Sequence, residues 1–137
     1  MTDGPLNGVR VTEFTSAWAG PYATCLLGFL GAEIIKVESR KRLDHARLVS
    51  FTTSSDFSNP DQSPVFNSLN LNKKSACLNL TKPRAVEIAK QLVEKSDVVV
   101  ENMRPGVMGR LGLDYRALSE VKPDIIYLSS SSCGQTG

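Results

Sequence analysis

Cysteine, histidine and tryptophan are all scarce in this chain of 137 residues, which holds three, one and one of them. Cys25, Cys77 and Cys133 are widely spaced, odd in number and never paired as C-x-x-C. That pattern argues against a disulfide framework and against a zinc ribbon or finger. A single histidine, His45, cannot build a multi-histidine metal centre. No apolar run reaches the roughly 20 residues a transmembrane helix needs. The opening "MTDGPLNGVRV" lacks the basic-then-apolar pattern of a secretion signal. No membrane partner is expected, and the expected location is cytoplasmic. Charge of one sign is also lacking: 16 basic against 14 acidic residues leave a net +2. With no basic run interleaved with aromatics, no nucleic-acid partner is expected. A hydrophobic share of 41% beside 22% charged residues excludes disorder, and the length suits one domain with its own core.

What is present is an alternation of strand and helix patterns. "GVRVTEF" (8–14) alternates as a strand, with Val9, Val11 and Phe14 as inward candidates. A turn, "TSAWAGP", leads into the helix "YATCLLGFLG", with Pro21 in its first turn, Gly31 as its cap and Cys25 as a small hydrophobe within it. "AEIIKVE" (32–38) is a second strand, so residues 8–38 form one βαβ unit. Residues 39–68 are charged and then rich in turn formers, and about 52–64 is expected to be a surface loop. In 68–80, Ala76, Leu78 and Leu80 alternate with polar neighbours as a short half-buried strand. "TKPRAVEIAKQLVEKS" is an amphipathic helix whose stripe is Ala85, Ile88, Ala89, Leu92 and Val93, with Thr81 as candidate N-cap. "DVVVE" is a buried strand, 107–121 hold one or two short helices around Gly112, and 124–129 form a last strand. The class is therefore α/β, with a mostly parallel sheet and helices on both faces.

Ligands of such sheets bind beyond the carboxyl ends of the strands. Four stretches lie there. In 15–21, Ala19 and Gly20 admit close approach, and the helix N-terminus favours an anion; the same residues also make an ordinary tight turn. Trp18 either walls a pocket or caps the core. Glu38 imitates the ribose-binding carboxylate of a dinucleotide fold, but the first turn contains no G-x-G-x-x-G. In "NLNKKS" (70–75), Lys73 or Lys74 meets a ligand phosphate or belongs to a solvated turn. "ENMRPGVMGR" places Asn102, Arg104 and Arg110 at one strand end, a polyanion clamp unless Arg104 pairs with a carboxylate. "SSSSCGQTG", with Gln135, is an oxyanion-binding loop or a linker.

Taken together, "LNGVRVTEFTSAWAGPYATCLLGFLGAEIIKVES", "NLNKKSACLNLTKP", "DVVVENMRPGVMGRLGLDY" and "PDIIYLSSSSCGQTG" resemble the class III coenzyme A-transferases. That family includes the formyl-CoA:oxalate, carnitine and benzylsuccinate CoA-transferases. The resemblance covers almost the whole chain. It implies a Rossmann-like large domain, of which residues 1–137 would be the incomplete N-terminal part, in a larger interlocked homodimer. It implies that the ADP part of CoA lies against Trp18, Ala19, Leu78, Asn102, Met103, Arg104 and Arg110. Ser39 or Arg40 falls where the family often has an arginine, and Thr81 or Lys82 where it often has a lysine. Some members carry a glutamine at the position of Trp18 that shields the reaction intermediates; Trp18 implies a different pocket shape.

The implied reaction moves CoA from an acyl-CoA to a carboxylic acid, with no further cofactor and no metal. An aspartate attacks the donor carbonyl, giving a mixed anhydride and free CoA thiolate. The thiolate attacks the aspartyl carbonyl, giving an enzyme thioester and releasing the donor acid. The acceptor carboxylate then attacks that thioester, and the CoA thiolate it expels finally takes the acceptor acyl group and frees the aspartate. The family's layout puts that aspartate beyond Gly137, along with the small domain, so the piece alone is expected to be inactive. The blocks at 104–115 and 129–137 lean toward the branch that handles succinyl-CoA and larger acids. Three other readings compete. One is a 2-methylacyl-CoA racemase of the same superfamily, against which Asn102 leans. The others are a non-catalytic acyl-CoA-binding module and a dinucleotide oxidoreductase domain.

Overall fold

The computed structural model describes residues 4–49 and 59–134. Most of the expected 52–64 loop, together with Gln135, lies outside them. Strands β1 (Arg10–Phe14), β2 (Glu33–Glu38), β3 (Lys73–Cys77), β4 (Val98–Glu101) and β5 (Ile126–Ser129) form one sheet in the order β3-β2-β1-β4-β5. Every neighbouring pair is parallel. This is the Rossmann-like α/β class, and the strand order reverses between β1 and β4.

Helix α1 (Ala19–Phe29) and the short α2 (Pro64–Leu69) cover one face. Helices α3 (Pro83–Glu94), α4 (Val107–Leu111) and α5 (Tyr115–Ser119) cover the other. Two cores result from the period-2 alternation of the strands. Val11, Ile34 and Val100 pack on the α1 side. Phe14, Val37 and Val99 pack with Ala89 and Val93 of α3, and with Met108, Leu113 and Leu118. Val11 and Phe14 thus lie on opposite faces, because β1 is central and buried on both, and its Thr12 and Glu13 are also fully buried.

Three expectations shift. The strand expected near 75–80 runs over Lys73–Cys77, so both lysines of "NLNKKS" are strand residues. The segment 59–69 is ordered: Asn59 caps a single 3-10 turn, and Ser63 caps α2, whose first residue is Pro64. The N-cap of α3 is Lys82, with Pro83 following it. The Thr81 hydroxyl instead bonds Asn79 Oδ1 at 2.8 Å. Gly31 follows the last turn of α1 at φ +103°, a left-handed conformation that glycine adopts freely.

Candidate functional site

A cleft of about 460 Å³ opens at the carboxyl ends of β1, β4 and β5. It is lined by Ala19, Asn102, Met103, Arg104, Pro105 and the 130–134 loop. A smaller hollow of about 330 Å³ adjoins it, between α1 and β5. A larger concavity, about 920 Å³, lies at the opposite end, around the strand starts. There Arg10 and Lys74 both pair with Glu33, Lys73 turns to Glu13, and Asp97 accepts from Arg10 N at 2.8 Å. The cleft, by contrast, sits at the switch point between β1 and β4, where parallel sheets bind ligands.

Asn102 holds the two sides of that switch point together. Its Oδ1 accepts from Ser16 N at 2.8 Å, and its Nδ2 donates to Ser16 O at 2.7 Å. The amide so expected in a polyanion clamp therefore works first as a bridge from the end of β4 to the β1–α1 turn. Gly20 packs in the same place. A Cβ there would lie 2.6 Å from Thr15 Cγ2 and 3.2 Å from Asn102 Cγ. Helix α1 thereby brings its first turn close over the strand end. That turn contains no acidic residue to offset the positive helix end.

Arg104 is exposed at the cleft and forms no ion pair with a described residue. Arg110 is likewise exposed and makes no ion pair with a described residue. It does not line the cleft but folds back onto the same turn, its Nη1 3.3 Å from where a Gly106 Cβ would be. Two guanidiniums at one strand end, neither paired with a described carboxylate, suit phosphate oxygens. Met103 is held by its backbone N–H, which donates to Glu101 Oε2 at 2.7 Å.

The other predicted residues lie along the carboxyl edge but outside the cleft lining. Trp18 is half exposed at the N-cap of α1. Ser39 and Arg40 follow β2, where Ser39 Oγ accepts from Lys41 N at 3.1 Å and Arg40 is exposed. Leu78 extends the β2–β3 pairing through its N–H to Glu38 O at 2.8 Å and packs on the core. Thr81 and Lys82 are exposed just beyond it. Glu38 does not wait for a ribose: Arg47 holds its Oε1 at 2.7 Å and stacks 3.4 Å from the centre of the Phe66 ring.

Sequence reasoning missed a buried ionic cluster beneath α1. Lys73 does not face a phosphate: its ammonium lies 3.1 Å from Glu13 Oε1 and donates to Pro21 O at 2.8 Å and Asn70 Oδ1 at 3.0 Å. Lys36 lies 3.4 Å from Glu13 and 2.8 Å from Asp44, and donates to Thr15 O at 2.9 Å. The Thr24 hydroxyl bonds Glu13 as well. None of the four charged side chains is more than 3% exposed. Two ammoniums and two carboxylates sum to zero, which is the condition for burying them. Burial pushes the Lys73 ammonium below its ordinary value despite the Glu13 charge. Burial would raise Asp44, but the Lys36 charge and the bonds from Lys36, Ala17 and Ala46 outweigh it and hold the carboxyl below its ordinary value. The signal that could have revealed the cluster is the parallel register, which sets Glu13 beside Lys36.

No group of three metal-ligating side chains occurs among the described residues, and no described helix is long and apolar enough to cross a membrane.

Residues 6–137 match the family described as CoA-transferase family III. The chain is 44% identical to the succinyl-CoA:glutarate CoA-transferase of Mus musculus over 97% of its length, which is 29% of that protein. It is 41% identical to the acetyl-CoA:oxalate CoA-transferase of Acetobacter aceti, over 98% of this chain and 33% of that one. Among solved structures, the Mycobacterium tuberculosis protein Rv3272 superposes with a TM-score of 0.84 at 36% identity, covering 98% of this chain and 34% of that one. The chain therefore spans about a third of the length of the relatives it matches.

Proposed function

The chain belongs to CoA-transferase family III, and from that membership we propose that it forms the coenzyme A-binding part of an enzyme that moves CoA from a thioester to a carboxylic acid. One observation carries the reading: Arg104, exposed and without an ion-pair partner among the described residues, stands at the switch-point cleft. CoA is a substrate here, and its diphosphate is the polyanion the guanidiniums would meet. Arg104 and Arg110 would neutralise the phosphates, the first turn of α1 would add its dipole, and Asn102 would keep that turn against the end of β4. The acceptor is proposed to be a dicarboxylic acid, since the similar mouse and Acetobacter enzymes are named for glutarate and oxalate. The nucleophilic aspartate is proposed to lie outside the described residues, because no described aspartate lines the cleft.

Calorimetric titration of the chain with CoA tests this. Saturable binding is expected, with Arg104→Ala weakening it by about 10- to 150-fold, the equivalent of losing a charged hydrogen bond of roughly 1.5–3 kcal/mol. The reading fails if folded protein gives no CoA heat, if Arg104→Ala binds as tightly as the parent, or if NAD(H) protects against unfolding and CoA does not.

A further inference from the structure

Asp44 is wholly buried, yet it does not belong to the cleft, and no part of the proposed chemistry uses it. Its Oδ1 accepts from Ala17 N at 2.8 Å, from Ala46 N at 2.9 Å and from Ser16 Oγ at 3.2 Å. Its Oδ2 lies 2.8 Å from Lys36 Nζ. Ser16 Oγ in turn accepts from His45 N at 3.1 Å. One carboxylate thus ties the segment after β2 to the turn between β1 and α1. From the other side, Asn102 ties the same turn to the end of β4.

The backbone between these ties is not relaxed. Ala17 sits at φ +68°, in the left-handed region that residues with a Cβ avoid. Such a conformation persists only where the surroundings over-determine it, and outliers of this kind cluster at binding sites. The residues that follow immediately are Trp18 and Ala19, the N-cap and first residue of α1. A change of hand at Ala17 would redirect the chain into both, and of the two Ala19 lines the cleft.

We infer that Asp44 is a positioning residue: by holding Ser16 and Ala17 it fixes the left-handed turn that presents Trp18, Ala19 and the start of α1 to the ligand. The ligand half of this inference rests on the CoA reading above; the turn half does not. Lys36 has a part in the device, since it neutralises Asp44 and also bonds Thr15 O, so the carboxylate can be buried beside the turn it holds.

Trp18 is the only tryptophan and lies in the turn itself, so it reports the turn without any ligand. The test compares the parent chain with Asp44→Asn, with Ser16→Ala as a milder variant that loses one contact to the same carboxylate. It adds Ala17→Gly in the Asp44→Asn background, which removes the penalty of the left-handed backbone. The expected result for Asp44→Asn is faster acrylamide quenching of Trp18, by about twofold, and lower anisotropy, with far-UV circular dichroism unchanged. CoA affinity should fall about tenfold, and Ala17→Gly should recover part of it. Ser16→Ala should move Trp18 the same way by less, and it carries the test if Asp44→Asn fails to fold. A purely structural role would lower the melting temperature and leave Trp18 quenching and CoA affinity of the folded protein unchanged; that outcome overturns the inference. If the parent binds no CoA while Asp44→Asn still mobilises Trp18, the CoA reading falls and the assignment of Asp44 to the turn stands.

Discussion

Replacing Lys73 by methionine tests the buried ionic cluster, because methionine keeps the unbranched stem to its Cε and removes the charged, donating end. The ammonium lies 3.1 Å from Glu13 Oε1, which at an effective dielectric of about 20 corresponds to an attraction of roughly 5 kcal/mol. Glu13 does not lose everything, since Lys36 remains 3.4 Å away and the Thr24 hydroxyl still donates. Against that, Pro21 O and Asn70 Oδ1 each lose a buried donor, worth about 1 kcal/mol apiece. Breaking a buried pair from one side generally costs about 3–5 kcal/mol, but removing the charge also relieves the burial that pushes the Lys73 ammonium below its ordinary value, so we expect a smaller cost, about 1–3 kcal/mol, for Lys73→Met at neutral pH. With a urea slope of about 1–3 kcal/mol/M, the unfolding midpoint should fall by roughly 0.3–3 M. The second arm adds Glu13→Gln. That restores charge balance, leaving Lys36 with Asp44 alone, so the double variant should be more stable than Lys73→Met by at least about 1 kcal/mol. The parent carries a further signature. Its folded Lys73 gives up its proton below the ordinary value of 10.5, whereas the unfolded chain keeps it up to that value. Stability should therefore rise with pH in the alkaline window ending near 10.5, and Lys73→Met should lack the rise. A cost under about 1 kcal/mol, or strict additivity of the two substitutions, would refute the idea that these charges are held as a paired unit.

Two further outcomes can be checked on the same material. Asp44 titrates below its ordinary value of 3.8 when folded, so its contribution is complete above that pH and is lost as pH falls through the folded value; urea midpoints compared at neutral and acid pH should drop in the parent and drop less in Asp44→Asn. In Gly20→Ala the new Cβ would meet Thr15 Cγ2 at 2.6 Å, so thermal unfolding should show a loss of about 1–3 kcal/mol, with CoA affinity reduced as α1 is pushed off the strand end.

The sequence patterns located most of this architecture and missed its polar interior. β4, "VVVE", and the stripe of α3 are read directly, because a buried parallel strand and an amphipathic helix leave unmistakable periods. The alternation points to the carboxyl edge and the family resemblance adds Met103; Ala19, Asn102, Met103 and Arg104 line one cleft there. Helix α2 was hidden because a Ser-Pro start amid turn formers looks like more loop, although that pair is also a cap followed by a favoured first residue. Glu13, Lys36 and Lys73 were hidden for a different reason. Hydrophobic periodicity treats a charge as a sign of solvent, and only the pairing of strands distant in sequence shows that opposite charges meet. Asp44 was invisible for the same reason: its partners lie 27 and 28 residues earlier.

Because every pairing in the sheet is parallel, no two neighbouring strands are joined by a hairpin. The pairing of the central strand β1 with β4 sets Val11 against Val98, and the Asn102 bridge to Ser16 closes a span of 86 residues. Closing so long a span is entropically costly and slow, so the cleft comes into being only once β1, β4 and the segment after β5 have met. A molecule that docks there would act as a proofreader of folding, favouring only forms in which the ends of β1, β4 and β5 already lie side by side.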